Sequence, residues 1–94
     1  MIKNLEEVKK ILNKNNLNEE MLDKAIQQIN ETCDYNKEGI YKAEFKNFEM
    51  TIKRITTFYD ENGNIMTENF EDFAEAKDED TVLDITINGK VYNL

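Results

Sequence analysis

The 94-residue chain has no histidine, no tryptophan and no proline, three glycines and a single cysteine. Without histidine, no side chain has an unperturbed pKa near neutrality, which removes the commonest general acid–base group. Cys33 is alone, so it cannot close an internal disulfide, and without histidine partners it cannot build a zinc site. That cysteine usage fits a reducing, cytoplasmic setting. Three glycines leave no glycine-rich phosphate loop. No stretch approaches the roughly 20 apolar residues that span a bilayer. The opening MIKNLEEVKKIL mixes acids and bases and lacks the apolar run of a signal peptide. These absences point away from an enzyme, and no cofactor or metal is expected.

Basic residues are scarce in one quarter of the chain. The whole carries 12 bases and 20 acids, a net charge of -8. Residues 60–84 contain Asp60, Glu61, Glu68, Glu71, Asp72, Glu75, Asp78, Glu79, Asp80 and Asp84, against Lys77 as the one base. The segment therefore carries -9 and the remainder +1. Uniform acidity would be explained by solubility; this asymmetry asks for a surface that meets cations.

What is present patterns as a single α+β domain over residues 1–94. Ile2, Leu5, Val8 and Leu12 recur at helical spacing and predict a first helix from Ile2 to Asn13. NKNN interrupts it, and Asn18 caps a second helix running to about Tyr35, with Leu17 and Leu22 placed as a hydrophobic staple. Residues 1–35 thus read as a helical hairpin. The run from Gly39 is β-branched and aromatic. Tyr41, Ala43 and Phe45 alternate on one parity and Phe48, Met50 and Ile52 on the other, with a turn or bulge at Lys46–Asn47 between them. A helix over 41–55 is the rival, since Tyr41, Phe45, Phe48, Ile52 and Ile55 also share a helical stripe; the threonine and isoleucine crowding favours strands. DENGN at 60–64 is a turn, and Ile65–Met66 opens a short strand. Thr67 caps a short acidic helix ending near Lys77. Asn88–Gly89 is a two-residue hairpin loop that pairs Ile87 with Lys90, Ile85 with Tyr92 and Leu83 with Leu94, their apolar members on one face.

On the expected third helix, Phe70, Phe73 and Ala74 share one side. Glu68, Glu71, Asp72, Glu75, Asp78 and Glu79 share an arc of about 120° on the other. Six charges over about 16 Å of rise give one per roughly 2.7 Å, against one per about 1.7 Å along duplex DNA. Glu68, Glu71, Asp72, Glu75, Asp78, Glu79 and Asp80 are therefore the candidate partner-binding residues.

Other constellations yield less. DENGNIMTENFE, residues 60–71, puts Asp60, Asn62, Asn64 and Glu71 at EF-hand ligand positions but Ile65 where glycine is needed. DYNKEGIYKAEF, residues 34–45, places Asp34, Asn36, Glu38 and Gly39 well and ends in Phe45 instead of the bidentate glutamate. Both are expected to be ordinary turns. Cys33 lies on the apolar face of helix two as a structural residue. Lys42, Lys46, Lys53 and Arg54 interleave with Tyr41, Phe45 and Phe48, but Glu44 and Glu49 interrupt them. A solvated sheet face is expected there, with no direct nucleic-acid binding.

In size, acidity, lack of proline and the segment from Glu68 to Asp84, the chain resembles the phage-encoded anti-CRISPR inhibitors, several of which act as nucleic-acid mimics. The resemblance implies a non-enzymatic inhibitor that occupies the basic groove of a nucleic-acid-processing enzyme, such as a CRISPR effector, in the host cytoplasm and without contacting a membrane. Acidic immunity proteins that neutralise basic toxins are similar in outline, and a general interaction or assembly subunit is the remaining alternative.

Overall fold

The computed structural model describes residues 2–33 and 37–94. Its elements are α1 (Leu5–Lys14), α2 (Glu19–Thr32), β1 (Gly39–Phe45), β2 (Phe48–Tyr59), a single 3-10 turn (Phe70–Asp72), β3 (Glu75–Ile87) and β4 (Lys90–Asn93). The strands form one antiparallel meander in the order β1-β2-β3-β4. The helical hairpin packs on one of its faces, so the α+β architecture matches the sequence pattern. No described helix is long and apolar enough to cross a membrane.

Local chemistry explains the helix ends. α1 stops in a Schellman arrangement: Asn16 adopts φ 59°, its N–H donates to the Asn13 carbonyl, and Leu17 N–H donates to the Leu12 carbonyl. Asparagine takes the left-handed position that glycine usually fills. Asn18 then caps α2, its Oδ1 accepting from Glu20 N–H at 3.0 Å. α2 ends at Thr32, where Cys33 turns extended, rather than continuing to Tyr35, which lies outside the described residues.

α1 begins at Leu5, later than the apolar spacing predicts, because residues 2–4 are recruited by the sheet. Ile2 bridges Asp80 in parallel, and Lys3 N–H donates to the Asp80 carbonyl at 2.9 Å. The Asn4 side chain then completes the run, donating to the Val82 carbonyl at 2.8 Å and accepting from Val82 N–H at 3.0 Å. A side-chain amide thus stands where a neighbouring strand's peptide would. Gln28 repeats the device on β1, donating to the Glu44 carbonyl at 3.2 Å and accepting from its N–H at 2.7 Å. Both amides block edge pairing at the positions they fill.

The long β2–β3 ladder organises everything else. Its inward rungs are Phe48–Ile87, Met50–Ile85 and Ile52–Val82, then Arg54–Asp80 and Thr56–Asp78, then Phe58–Ala76. The three apolar rungs meet Val8 and Leu12 of α1 and Leu22, Ala25 and Ile29 of α2 in one core. Fully burying each Val, Leu, Ile, Phe or Met of this set contributes about 1.5–3 kcal/mol. A bulge separates the pairs Ile52–Val82 and Thr51–Asp84, leaving Leu83 as the extra residue. The inward row of β3 therefore changes parity, from Asp80 and Val82 to Ile85 and Ile87. This corrects the expectation that Leu83 shares the inward face of Ile85 and Ile87; Val82 takes that place, and Leu83 is half-buried.

Asn88 (φ 50°) and Gly89 (φ 83°) form the expected hairpin loop, pairing Ile87 with Lys90 and Ile85 with Tyr92. Phe45 pairs with Phe48 around the turn at Lys46–Asn47, so residues 41–55 are two strands and not a helix. Ile65 contributes only an isolated bridge to Tyr59.

Candidate functional site: the tip of the β2–β3 arm

The apolar core stops at the Arg54–Asp80 rung. Arg54 Nε and Nη2 donate to the two carboxylate oxygens of Asp80 at 2.7 and 2.8 Å, with both side chains buried. Arg54 Nη1 points to Cys33 Sγ at 3.4 Å, and its guanidinium lies 5.8 Å from the Tyr41 ring centroid. The Asp80 hydrogen bonds raise the Arg54 pKa above its ordinary value, outweighing the opposing effect of burial. On the next rung Thr56 Oγ1 donates to Asp78 Oδ1 at 2.7 Å, while Thr56 N–H donates to Glu38 Oε1 at 3.1 Å. These two polar rungs close the core and begin an arm, within a molecule whose extents are 45 × 24 × 20 Å.

The arm ends in a folded loop between β2 and β3. Asp60 Oδ1 accepts from Asn62 and Asn64 N–H at 2.9 and 3.0 Å, which sets the turn with Gly63 at φ 80°. Met66 N–H returns to the Phe58 carbonyl at 2.8 Å. Asn69, at φ 54°, introduces the 3-10 turn, and Ala74 N–H rejoins the Tyr59 carbonyl at 2.9 Å. Phe58 receives the two loop rings, with centroid distances of 5.2 Å to Phe70 and 5.1 Å to Phe73. Such tilted pairs are worth about 0.5–1.5 kcal/mol beyond the area they bury. Phe70 and Phe73 nonetheless remain 45% and 40% exposed. A hollow of about 410 Å³ opens beside Phe70, lined also by Glu38, Thr56, Thr57, Phe58, Ile65 and Met66.

The short acidic helix is present as the 3-10 turn Phe70–Asp72, in the expected place but without the ten-residue length. The common acidic arc is therefore corrected. Asn69 is left-handed and Phe73 extended, which stops the turn after three residues, and Glu75 already pairs with Tyr59 in β3. The seven candidate acids divide. Glu68, Glu71, Asp72 and Glu75 are all exposed, in the loop or where β3 leaves it. Glu75 lies 3.8 Å from Lys77. Asp78 turns inward to Thr56, and Glu79 turns outward, 3.2 Å from Lys3 Nζ. Asp80 is 3% exposed and committed to Arg54, so it is a structural residue and not part of the arm-tip surface.

What survives is a charge confined to the loop and its junction with β3. Residues 60–75 hold Asp60, Glu61, Glu68, Glu71, Asp72 and Glu75 with no Lys or Arg. Helical spacing alone does not place Phe58 with Phe70 and Phe73, which form an aromatic bracket between β2 and the loop. Phe58 shares the even, inward parity of Phe48, Met50 and Ile52, which is the signal that could have placed it. The same parity places Arg54 inside, away from Lys42, whose amine sits 3.5 Å from Glu49. The turn containing Asp60 spends that carboxylate on backbone amides. The loop beginning at Asp34 lies partly outside the described residues. Among those described, no three acidic or cysteine side chains converge as a metal site. Cys33 is a half-buried thiol beside Arg54.

The chain matches no family model, no curated protein and no solved structure.

Proposed function

We propose that this is a non-enzymatic binding protein that presents the arm tip, residues 60–75, to a basic groove on a nucleic-acid-processing enzyme. By occupying that groove it inhibits the enzyme, acting in the host cytoplasm with no cofactor and without contacting nucleic acid or a membrane itself. The observation that supports this is one juxtaposition: six carboxylates, of which Glu75 alone has a base (Lys77) beside it among the described ion pairs, next to two half-exposed phenyl rings at the end of a braced arm. Carboxylates speed encounter with a cationic surface and orient it, while partly exposed aromatic rings supply the desolvated contact that slows release. Nucleic-acid grooves pair lysine and arginine with aromatic stacking surfaces, which is the complementary chemistry. The resemblance to anti-CRISPR inhibitors makes CRISPR effector nucleases the first enzymes to assay.

The test is cleavage of a labelled target by a panel of purified effectors, with and without the protein. Inhibition should fall steeply as ionic strength rises, since exposed charges are screened within about 8–10 Å at physiological salt. Replacing Glu71, Asp72 and Glu75 together by lysine should abolish inhibition and leave thermal unfolding unchanged within about 0.5 kcal/mol. Inhibition that survives the triple replacement rejects the tip as the binding surface, and inhibition of none of the effectors rejects that enzyme class. Inhibition of a basic toxin nuclease instead would make the chain an immunity protein using the same surface.

A further inference from the structure

A second surface, sharing no residue with the arm tip, runs along α2. The spacing of Glu19, Leu22, Asp23, Ile26, Gln27, Asn30 and Glu31 puts one side of α2 along an open groove of about 670 Å³. Ile2 and Leu5, from the start of the chain and of α1, supply its apolar lining together with Leu22 and Ile26 of α2. Leu22 is buried, whereas Leu5 and Ile26 are half-buried, so apolar surface remains uncovered in a helix otherwise well packed. Glu19, Asp23 and Glu31 make the rim, and none of the described lining residues is a Lys or Arg. Asp80 at the groove's base contributes little net charge, because Arg54 pairs with it from behind.

We propose that this groove docks a basic amphipathic helix from a partner protein. The length follows from α2: from Glu19 to Glu31 the helix rises about 18 Å, the length of a three-turn helix laid beside it. The rim chooses the charge. An apolar seam flanked by lysine or arginine puts its cations against Asp23 and Glu31, whereas an acidic or uncharged helix would lack those pairs. Glu19 is already 3.1 Å from Lys9 Nζ, so selection falls mainly on the other two carboxylates. The inference is independent of the arm-tip reading and requires neither the same partner nor inhibition.

The probe is a fluorescein-labelled helical peptide of about 14 residues, leucine at i, i+3, i+4 and i+7 and lysine elsewhere, read by anisotropy with the full chain. A counterpart with glutamate for lysine is the control. The expected result is saturation at one peptide per chain, with no binding of the glutamate peptide. Asp23→Lys with Glu31→Lys should weaken binding by about tenfold or more, while the arm-tip triple replacement changes it by less than about threefold. Ile26→Asn should weaken it too; a circular dichroism melt checks that this variant is folded, and the charge-reversed pair tests the groove without touching the core. Equal losses in the groove and tip variants would reduce the effect to the chain's net charge and overturn the proposal. Unchanged affinity in the groove variants would do the same. A concentration-dependent dimer, seen by sedimentation and lost in the Asp23→Lys, Glu31→Lys chain, would assign the groove to a second copy instead.

Discussion

Removing the Asp80 carboxylate isolates what one buried charge does to this fold. In Asp80→Ala the Arg54 guanidinium, 6% exposed, loses both hydrogen bonds to a partner 4% exposed. The remaining described neighbours, a thiol sulfur at 3.4 Å, the Tyr41 ring and the Asp78 carboxylate already bonded to Thr56, cannot replace a bidentate anion. Stranding a buried cation costs about 3–5 kcal/mol. A chain of this length is stable by roughly 5–14 kcal/mol, so the loss takes a large share. With a urea slope of about 1 kcal/mol/M, the midpoint should fall by about 3–5 M, read by far-ultraviolet circular dichroism. Arg54→Met with Asp80→Leu should return to within about 2 kcal/mol of the parent, because an apolar pair leaves no charge to desolvate. The pH dependence follows from the raised Arg54 pKa. A cation whose folded pKa lies above its unfolded value contributes its full stability below the unfolded value and loses it only as pH climbs through the folded one. The Asp80→Ala penalty should therefore be the same at about pH 6 and about pH 9. A penalty under about 1 kcal/mol, or a double replacement as damaging as the single ones summed, would refute the reasoning.

Two further outcomes follow from polar contacts elsewhere. Asn4→Ala removes both bonds to the Val82 backbone and should cost about 1–3 kcal/mol, with Val82 N–H losing its hydrogen-exchange protection. Retained protection at that amide would show that Asn4 does not close the ladder there. The Tyr92 pKa is lowered, first by the hydrogen bond from the Asn15 amide and then by the Lys90 charge. One of the 4 tyrosines should therefore ionise early in an ultraviolet titration, and Tyr92→Phe should delete that component. For a group with a depressed folded pKa the linked stability is present above the unfolded value and lost as pH falls through the folded one, so the shift makes stability no more pH-dependent at neutrality.

Periodicity and turn chemistry carried most of the fold in the sequence. Asn18 and Asn88–Gly89 act where their side chains and backbone freedom direct them, and the odd and even apolar rows of 41–45 and 48–52 are the two strands of a hairpin. The errors cluster where tertiary pairing overrides a local pattern. Ile2 fits a helical stripe yet bridges β3, and Glu75–Lys77 fits a helix end yet pairs with β2. A bulge at Leu83 is invisible to alternation alone, because Leu83, Ile85 and Ile87 look like an unbroken apolar row. The acidic segment was legible as composition. Its division into tip, inward and outward residues depended on the strand that receives it, and a buried aspartate such as Asp80 has no local mark that separates it from its solvated neighbours.

The bond between Asn4 and Val82 joins positions 78 apart in sequence. A growing chain can wind α1 and close the β1–β2 hairpin early, but this seam must wait until the second half of β3 has left the ribosome. Closing so wide a loop is entropically costly before its reward arrives, which slows folding and leaves a sheet margin transiently open to other chains. Residues 2–4, which look expendable beside a helix, act as a late stitch.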